Sequence, residues 1–507
     1  MAQGILPFQY EEEKVDEGLT SHAGLFIYLD LFQALGIGES LDKNVGVRPG
    51  QGFSDSQMGL AFILLNLAGG DCIGDLDILE EDKGFCRVFR KCETHGLSRK
   101  KRKALAARFR RGRSRTLPSA SSAFRYLSAF HDPEEEKLRQ RGRAFIPAPN
   151  RHLQGLYQVN RDLLASVQRH RPQAAATLDI DATLVETNKE EALHCYKHFK
   201  SYQPLNVYWF EQELVVHSEF RDGNVPAGYD QLRVFKESLE ALPPEVETVR
   251  MRSDSAGYQH DLLRYCDSGE DERFGRIEFA VSCDVTPQFK AAVLEVAEEE
   301  WRPILREEGG ELVETGRECA EVCFVPAHIG GSKKGLEYRY LATREPLKQQ
   351  PLPGMGDQLP LPFPTLDIEE VRYKISGVVT NIMDWEAPDV IVWHEKRCGK
   401  SEQAHSVMKS DLAGGKLPSG NFGENAAWWM FMILAFNLNT AMKNLALGPG
   451  WAKRRLKALR FHLINLPGRV VSGARRLKVR LAEGHPSFKI LLAARQKISM
   501  LAAAAPS

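Results

Sequence analysis

The sequence predicts an α/β protein: a mixed sheet flanked by helices, interrupted by a strand-rich insertion, with a helical region before it and a basic helical region after it. Three observations lead there. From about residue 20 to 170, apolar residues recur at three- and four-residue spacing. At Ala174 the period drops to two, and strand-like runs then alternate with helix-like ones. From about 284 to 390 that alternation breaks, in a stretch too long for a strand-to-helix connection.

At 507 residues the chain exceeds what one hydrophobic core usually supports. Its segments are expected at 1–170, 174–283, 284–390, 391–446 and 447–507. In the first, "HAGLFIYLDLFQALGI" and "SDSQMGLAFILLNLAGG" are helix-like, with Ser54 and Asp55 as caps, and Ser119 to Ser122 cap a further short helix. A small helical domain ending in a basic arm suits DNA binding. In the second, "AAATLDIDATLVET" alternates, with Leu178, Ile180, Ala182 and Leu184 on one face and Thr177, Asp179, Asp181 and Thr183 on the other. "PLNVYWF" and "ELVVHSEF" read as the next two strands, "EVETVRMRSD" as a fourth ending at Asp254, and "RIEFAVSCD" as a fifth. In the third, "FVPAHI" and "YRYLAT" read as strands and "QQPLPGMGDQLPLPFPT" as a loop. Helices then follow at about 395–412 and 423–444, separated by the glycines and proline of "GGKLPSGNFGEN".

Hydrophobic residues at 43% and charged residues at 26% exclude a disordered or fibrous chain. Net charge is zero, yet the cations are bunched. Arg99 to Arg115 reads "RKKRKALAARFRRGRSR", and Trp451 to Arg480 is also basic. Two such blocks suggest a polyanion gripped at two places, by Lys101, Arg102, Arg110, Arg111 and Arg113 in the first and Arg454 and Arg455 in the second. Solvated helix faces are the plainer alternative. The nine cysteines form no CxxC pair and read as buried thiols of a reducing cytoplasm. No secretory pattern opens the sequence. The apolar run at 426–438 is shorter than the roughly 20 residues a bilayer needs, so no membrane role is expected.

Three acids stand out. Asp181 lies in a strand beside Asp179, Asp254 ends a strand, and Glu402 lies in the polar run "RCGKSEQAHSVMK". On a helical wheel Glu402, Ser406 and Lys409 share one side, with Ala404, Val407 and Met408 opposite. Separately, an Asp after a strand is most often a helix cap, a Glu on such a helix is most often solvated, and Asp179 with Asp181 reads as a surface pair. Converged, they would repel one another unless hard cations such as Mg²⁺ held them together.

"LDIDATLVET", "RSDSAGYQ" and "RCGKSEQAHSVMKSDLAGGKLPSGNFGENAAWW" resemble the DDE transposases of bacterial insertion sequences, most of all the 1380 group, cut-and-paste enzymes with a Tyr-Arg-Glu-Lys-like signature. The resemblance spans roughly residues 20 to 480. It implies a ribonuclease-H-like catalytic core with a strand-rich insertion, and a metal-dependent transposase that hydrolyses DNA at transposon ends and transfers the freed 3′-hydroxyl to target DNA. It makes Asp181, Asp254 and Glu402 the catalytic ligands of two Mg²⁺ or Mn²⁺ ions. Arg397, Lys409 and His394 become phosphate contacts near the site, and Asp179 and Thr183 supporting groups. His394 stands where the signature has tyrosine, and four residues rather than three separate Arg397 from Glu402. The partners implied are double-stranded DNA, as terminal inverted repeats and target, and a second copy of the chain in the DNA complex. The location implied is the bacterial cytoplasm, on the nucleoid. A retired transposase that only binds DNA, and a nuclease of the same fold, are the alternatives.

Overall fold

The structure, a computed structural model, describes residues 18–48, 50–110, 112–140, 142–326, 338–348, 361–473 and 476–504. The chain divides into two compact units: Met1–Asp132 with Pro149–Ser166 and Val407–Ser507, and Pro133–Ala148 with Val167–Ser406.

The second unit is built on one ten-stranded sheet. Its strands in chain order are β1 (Ala175–Ala182), β2 (Leu205–Trp209), β3 (Leu214–Glu219), β4 (Thr248–Ser253), β5 (Glu278–Cys283), β6 (Arg302–Glu308), β7 (Glu311–Val322), β8 (Arg339–Pro346), β9 (Thr365–Ile368) and β10 (Val371–Thr380). They lie in the order 6-7-8-10-5-4-1-2-3, with β9 paired to β10. β1, β4 and β5 run parallel to their neighbours among themselves, and every other pairing is antiparallel. The parallel trio follows from the connections: helices α1 (Gln231–Ala241) and α2 (His260–Ser268) supply the crossovers that parallel strands require. β1 is central, which explains why Ala176, Leu178 and Ile180 are all buried.

Residues 284–390 add β6 to β10 to this same sheet, because β10 pairs antiparallel with β5 (Val379 opposite Val281). They also share a core with helix α3 (Ala387–Ser406). Val390 and Ile391 of the helix pack among Ile304, Cys319, Leu341 and Val378 of these strands and Ala280 of β5. That packing starts the helix at Ala387, well before the expected 395, since "PDVIVWH" has an apolar face to bury there. Two long strands, β6 and β7, were not legible: "ELVETGRECAEV" is mostly polar and exposed along its first half. Of the expected strand "FVPAHI", Phe324 to Pro326 lie outside any strand and Ala327 to Ile329 lie outside the described residues.

The first unit is helical. Ser54 caps the helix Asp55–Ala68 through a capping box with Gln57, and Ser119 caps Ala120–Leu127. The helix Phe422–Ala441 is buried along its whole length. Its Trp428 and Phe431 pack edge-on or tilted against Phe62, and Phe431 also meets Tyr126 and Phe130. Two polar groups inside this core are satisfied by each other's neighbours: Tyr28 donates to Asn439, and Asn437 donates to Asn160. Gly24 must be glycine, because a Cβ there would lie 1.5 Å from the Leu463 carbonyl oxygen. A small antiparallel sheet joins Leu19–Thr20, Gly468–Gly473 and Arg476–Arg480. No single helix among the described residues is long and apolar enough to cross a membrane.

Candidate functional site

The register of β1 on β4 sets the site. Ile180 lies beside Ser253 on parallel strands, so Asp181 and Asp254, the next residue on each, lie at the same edge of the sheet. Asp254 also caps the short turn Ser255–Gly257, its Oδ1 accepting from the Ala256 N–H at 3.0 Å. Its carboxyl is held above the ordinary carboxylate range, first by burial and then by the negative charge of Asp181, while Arg397 acts in the opposite direction.

Helix α3 crosses over Asp181. Its buried face carries Val390, Ile391, His394, Arg397, Ser401, Ala404 and His405, so the half of the helix nearest the acids turns polar side chains inward. Arg397, Ser401 and His405 are four residues apart and form one stripe. Ser401 Oγ donates to Asp181 Oδ2 at 2.8 Å. Arg397 Nη1 stands 3.6 Å and His405 Nδ1 3.7 Å from the same oxygen. The Nε–H of Arg397 is buried and has no hydrogen-bond acceptor among the described residues.

His405 is itself held. Ser218 Oγ donates to Asn206 Oδ1 at 2.6 Å, which turns the amide nitrogen of Asn206 to His405 Nε2 at 3.2 Å. An amide nitrogen only donates, so Nε2 accepts and the ring proton sits on Nδ1, facing Asp181.

Asp179 and His394 serve the scaffold. Asp179 and Arg252, both fully buried, form a two-point pair at 2.7 and 2.9 Å. Burial nevertheless drives the Asp179 carboxyl up to about 6, against the pull of Arg252. Arg252 also donates to the Trp393 carbonyl at 2.6 Å and lies between the Phe210 and Trp393 rings. The pair therefore ties β1 and β4 to α3. His394 is 5% exposed and its Nε2 donates to the Ser253 carbonyl at 3.1 Å. Burial pushes it down to about 4, so the ring is neutral and offers a phosphate no positive charge. Thr183 is buried, and its N–H donates to the Pro204 carbonyl.

Glu402 is exposed on α3, one residue beyond the stripe. The Cys398 thiol, one turn earlier, is pushed up by burial and then by the charges of Glu402, Glu395 and Asp181, with Arg397 opposing. Glu402 and Asp181 thus bear on one thiol, but among the described residues no three of His, Cys, Asp and Glu are grouped to hold a metal ion. Lys409 belongs to the other unit, in a π-turn at Val407–Asp411.

The basic residues divide by partner. Lys101, Arg102 and Arg110 are exposed, and the helix Arg99–Ala107 buries no residue at all. Arg113 instead pairs with Glu93 at 2.6 and 3.1 Å and lies over the rings of Phe53 and Phe109. Arg111 lies outside the described residues. Arg455 is engaged with buried Asp411 at 2.7 Å, and Arg454 is exposed beside the Trp451 ring.

Sequence reasoning missed Ser401, His405, Asn206, Ser218 and Arg252. The four-residue spacing of Arg397, Ser401 and His405 was a visible signal for the first two. Asn206 and Ser218 gave none, because only strand pairing sets them opposite each other.

The family model described as "Transposase DDE domain group 1" matches residues 14–324 and 367–503. No curated protein matches the chain. Among solved structures, the chain is similar to a piggyBac transposase in a synaptic complex with hairpin DNA, determined by cryo-electron microscopy, at 11% identity and a TM-score of 0.45, over 97% of this chain and 85% of that one.

Proposed function

This chain belongs to the transposases with a group 1 DDE domain, and we propose from that premise that it is a cut-and-paste DNA transposase. In this reading it hydrolyses DNA at terminal inverted repeats and transfers the freed 3′-hydroxyl to target DNA. The observation that carries the reading is the placing of Asp181 and Asp254 at one edge of adjacent parallel strands, under a helix that bears Glu402. The order β3-β2-β1-β4-β5, three antiparallel strands followed by two parallel ones, supports a ribonuclease-H-like core.

The donor set fits a hard divalent cation. Two neighbouring carboxylates, one raised by burial and then by the charge of the other, are what Mg²⁺ or Mn²⁺ binds and neutralises. Asp181 and Asp254 would hold the ions, and Glu402, exposed at the end of α3, would join them as third ligand by turning its side chain inward. A pair of such ions supplies activation of the attacking oxygen and stabilisation of the leaving one in phosphodiester transfer.

The protein's own groups have separate tasks. Ser401 and His405 fix the Asp181 carboxylate in one rotamer. Arg397, 3.6 Å from Asp181, would turn its guanidinium to a phosphate oxygen of the bound DNA. The exposed cations of the Arg99–Ala107 helix and Arg110 bind backbone phosphates away from the site. Two copies assembling on paired ends complete the proposal.

Incubating the protein with a DNA fragment carrying both native element ends and Mg²⁺, then sizing the products, tests it. Excised fragment and strand-transfer product are expected, with both lost in Glu402→Gln while end binding persists. Cleavage without joining would make the chain a nuclease, and full turnover in EDTA would remove the metal-ion account.

A further inference from the structure

The hairpin Gly468–Gly473 and Arg476–Arg480 has two unlike faces. Val470, paired with Val479, is fully buried, and Leu477 and Val479 are half-buried beside it. On the other face Arg469, Arg476, Lys478 and Arg480 are all exposed. Arg469 stands directly opposite Arg480 in the register. The two strands of the hairpin carry no acid of their own.

The base of the hairpin is fixed. Val470 N–H donates to the Gly18 carbonyl at 2.8 Å, and Leu19 pairs with Arg469 as a third strand. Arg87 Nη1 donates to the Val470 carbonyl at 3.2 Å. The ribbon is thus held at its base. Alternate residues of a strand lie about 7 Å apart, so Arg476, Lys478 and Arg480 form a straight row of evenly spaced charges. A two-stranded ribbon fits the major groove of B-DNA, about 12 Å wide.

We propose that this hairpin is a cationic β-ribbon that seats in the major groove of duplex DNA and neutralises phosphates along its rim. The proposal rests on the transposase reading and adds to it a defined element of the DNA interface, independent of the acids. Residues 474 and 475, at the turn, lie outside the described residues and play no part in it.

The test is fluorescence anisotropy of the full chain on a short fluorescein-labelled DNA duplex across a KCl series. Each phosphate contact contributes about 0.9 to the slope of log K against log salt. The triple variant Arg476→Gln, Lys478→Gln, Arg480→Gln is expected to flatten that slope by about 2 to 3. Lys478→Gln alone, which alters one exposed head group, should flatten it by about 1 and keeps the test valid if the triple variant fails to fold. A-form duplex RNA has a major groove too deep and narrow for side chains to read, so an RNA duplex of the same length should compete weakly. Unchanged slopes in a wild-type protein that binds DNA would overturn the ribbon and leave the transposase reading standing. Equal competition by duplex RNA would overturn groove seating. A wild-type protein that binds no DNA would overturn both.

Discussion

His394 is buried and neutral, and that has a measurable consequence. Its folded value near 4 lies below the ordinary histidine value of about 6.5. Between those values the unfolded chain takes up a proton that the folded one refuses. Stability is therefore full above about pH 6.5 and falls as pH drops towards 4, by up to about 3 kcal/mol. Urea unfolding midpoints at pH 7 and pH 4.5 check this, and His394→Gln should flatten the difference while keeping a donor for the Ser253 carbonyl. Asn206 offers a second residue-level test. Asn206→Leu removes the donor that fixes the His405 tautomer, and groups that orient a metal ligand typically matter by 10- to 100-fold in activity. Cleavage in Mg²⁺ should fall by about that factor with DNA affinity unchanged; equal activity would detach His405 from the site. The acids at 181, 254 and 402 were legible one by one in the sequence. What surrounds Asp181 was not, because the Ser401 hydrogen bond and the His405 contact exist only once α3 is laid across β1.

The basic arm behaves as two populations at the scale of the element. Arg113 closes a nearly buried pair with Glu93, so Arg113→Ala leaves that carboxylate with the Gln57 amide but without its cation and should cost about 3 kcal/mol. It should leave the salt dependence of DNA binding as it was. Lys101→Ala, Arg102→Ala and Arg110→Ala together touch exposed side chains, so stability should stay within about 0.5 kcal/mol while the salt slope flattens. Thermal unfolding and anisotropy on the same two variants separate the populations. Sequence density alone could not divide them, since Arg110 and Arg113 are three residues apart in one charged run. Only the fold brings Glu93 to one of them. Caps were more legible: Ser54 and Ser119 announce their helices locally, because a cap depends on residues within one turn.

Over the whole second unit, the strands of 302–380 and the helix of Glu402 form one packed body. Leu341 is fully buried against Val390 and Ile391. Leu341→Ala should therefore lower stability by about 2 to 5 kcal/mol and also reduce cleavage, although the residue lies far in sequence from every acid. A variant with lowered Tm and wild-type cleavage at a permissive temperature would show that the added strands do not position α3. The reason this was not legible is that the sequence of a strand gives no sign of what it pairs with. β10 joins β5 across nearly a hundred residues of chain, and nothing in either segment names the other.

The sequence by itself determined the local choices: the helical start, the switch to strands at Ala174, the acids at the strand end and on a late helix, and the clustered cations. These depend on periodicity, capping and charge, which act over a few residues. Tertiary structure alone decided which groups work together: Arg397, Ser401 and His405 on Asp181, Asp179 on Arg252, Arg113 on Glu93, and the added strands on the helix of Glu402. Such pairings depend on register and burial between distant segments, and a buried charge or donor finds its partner only when the chain has closed around it.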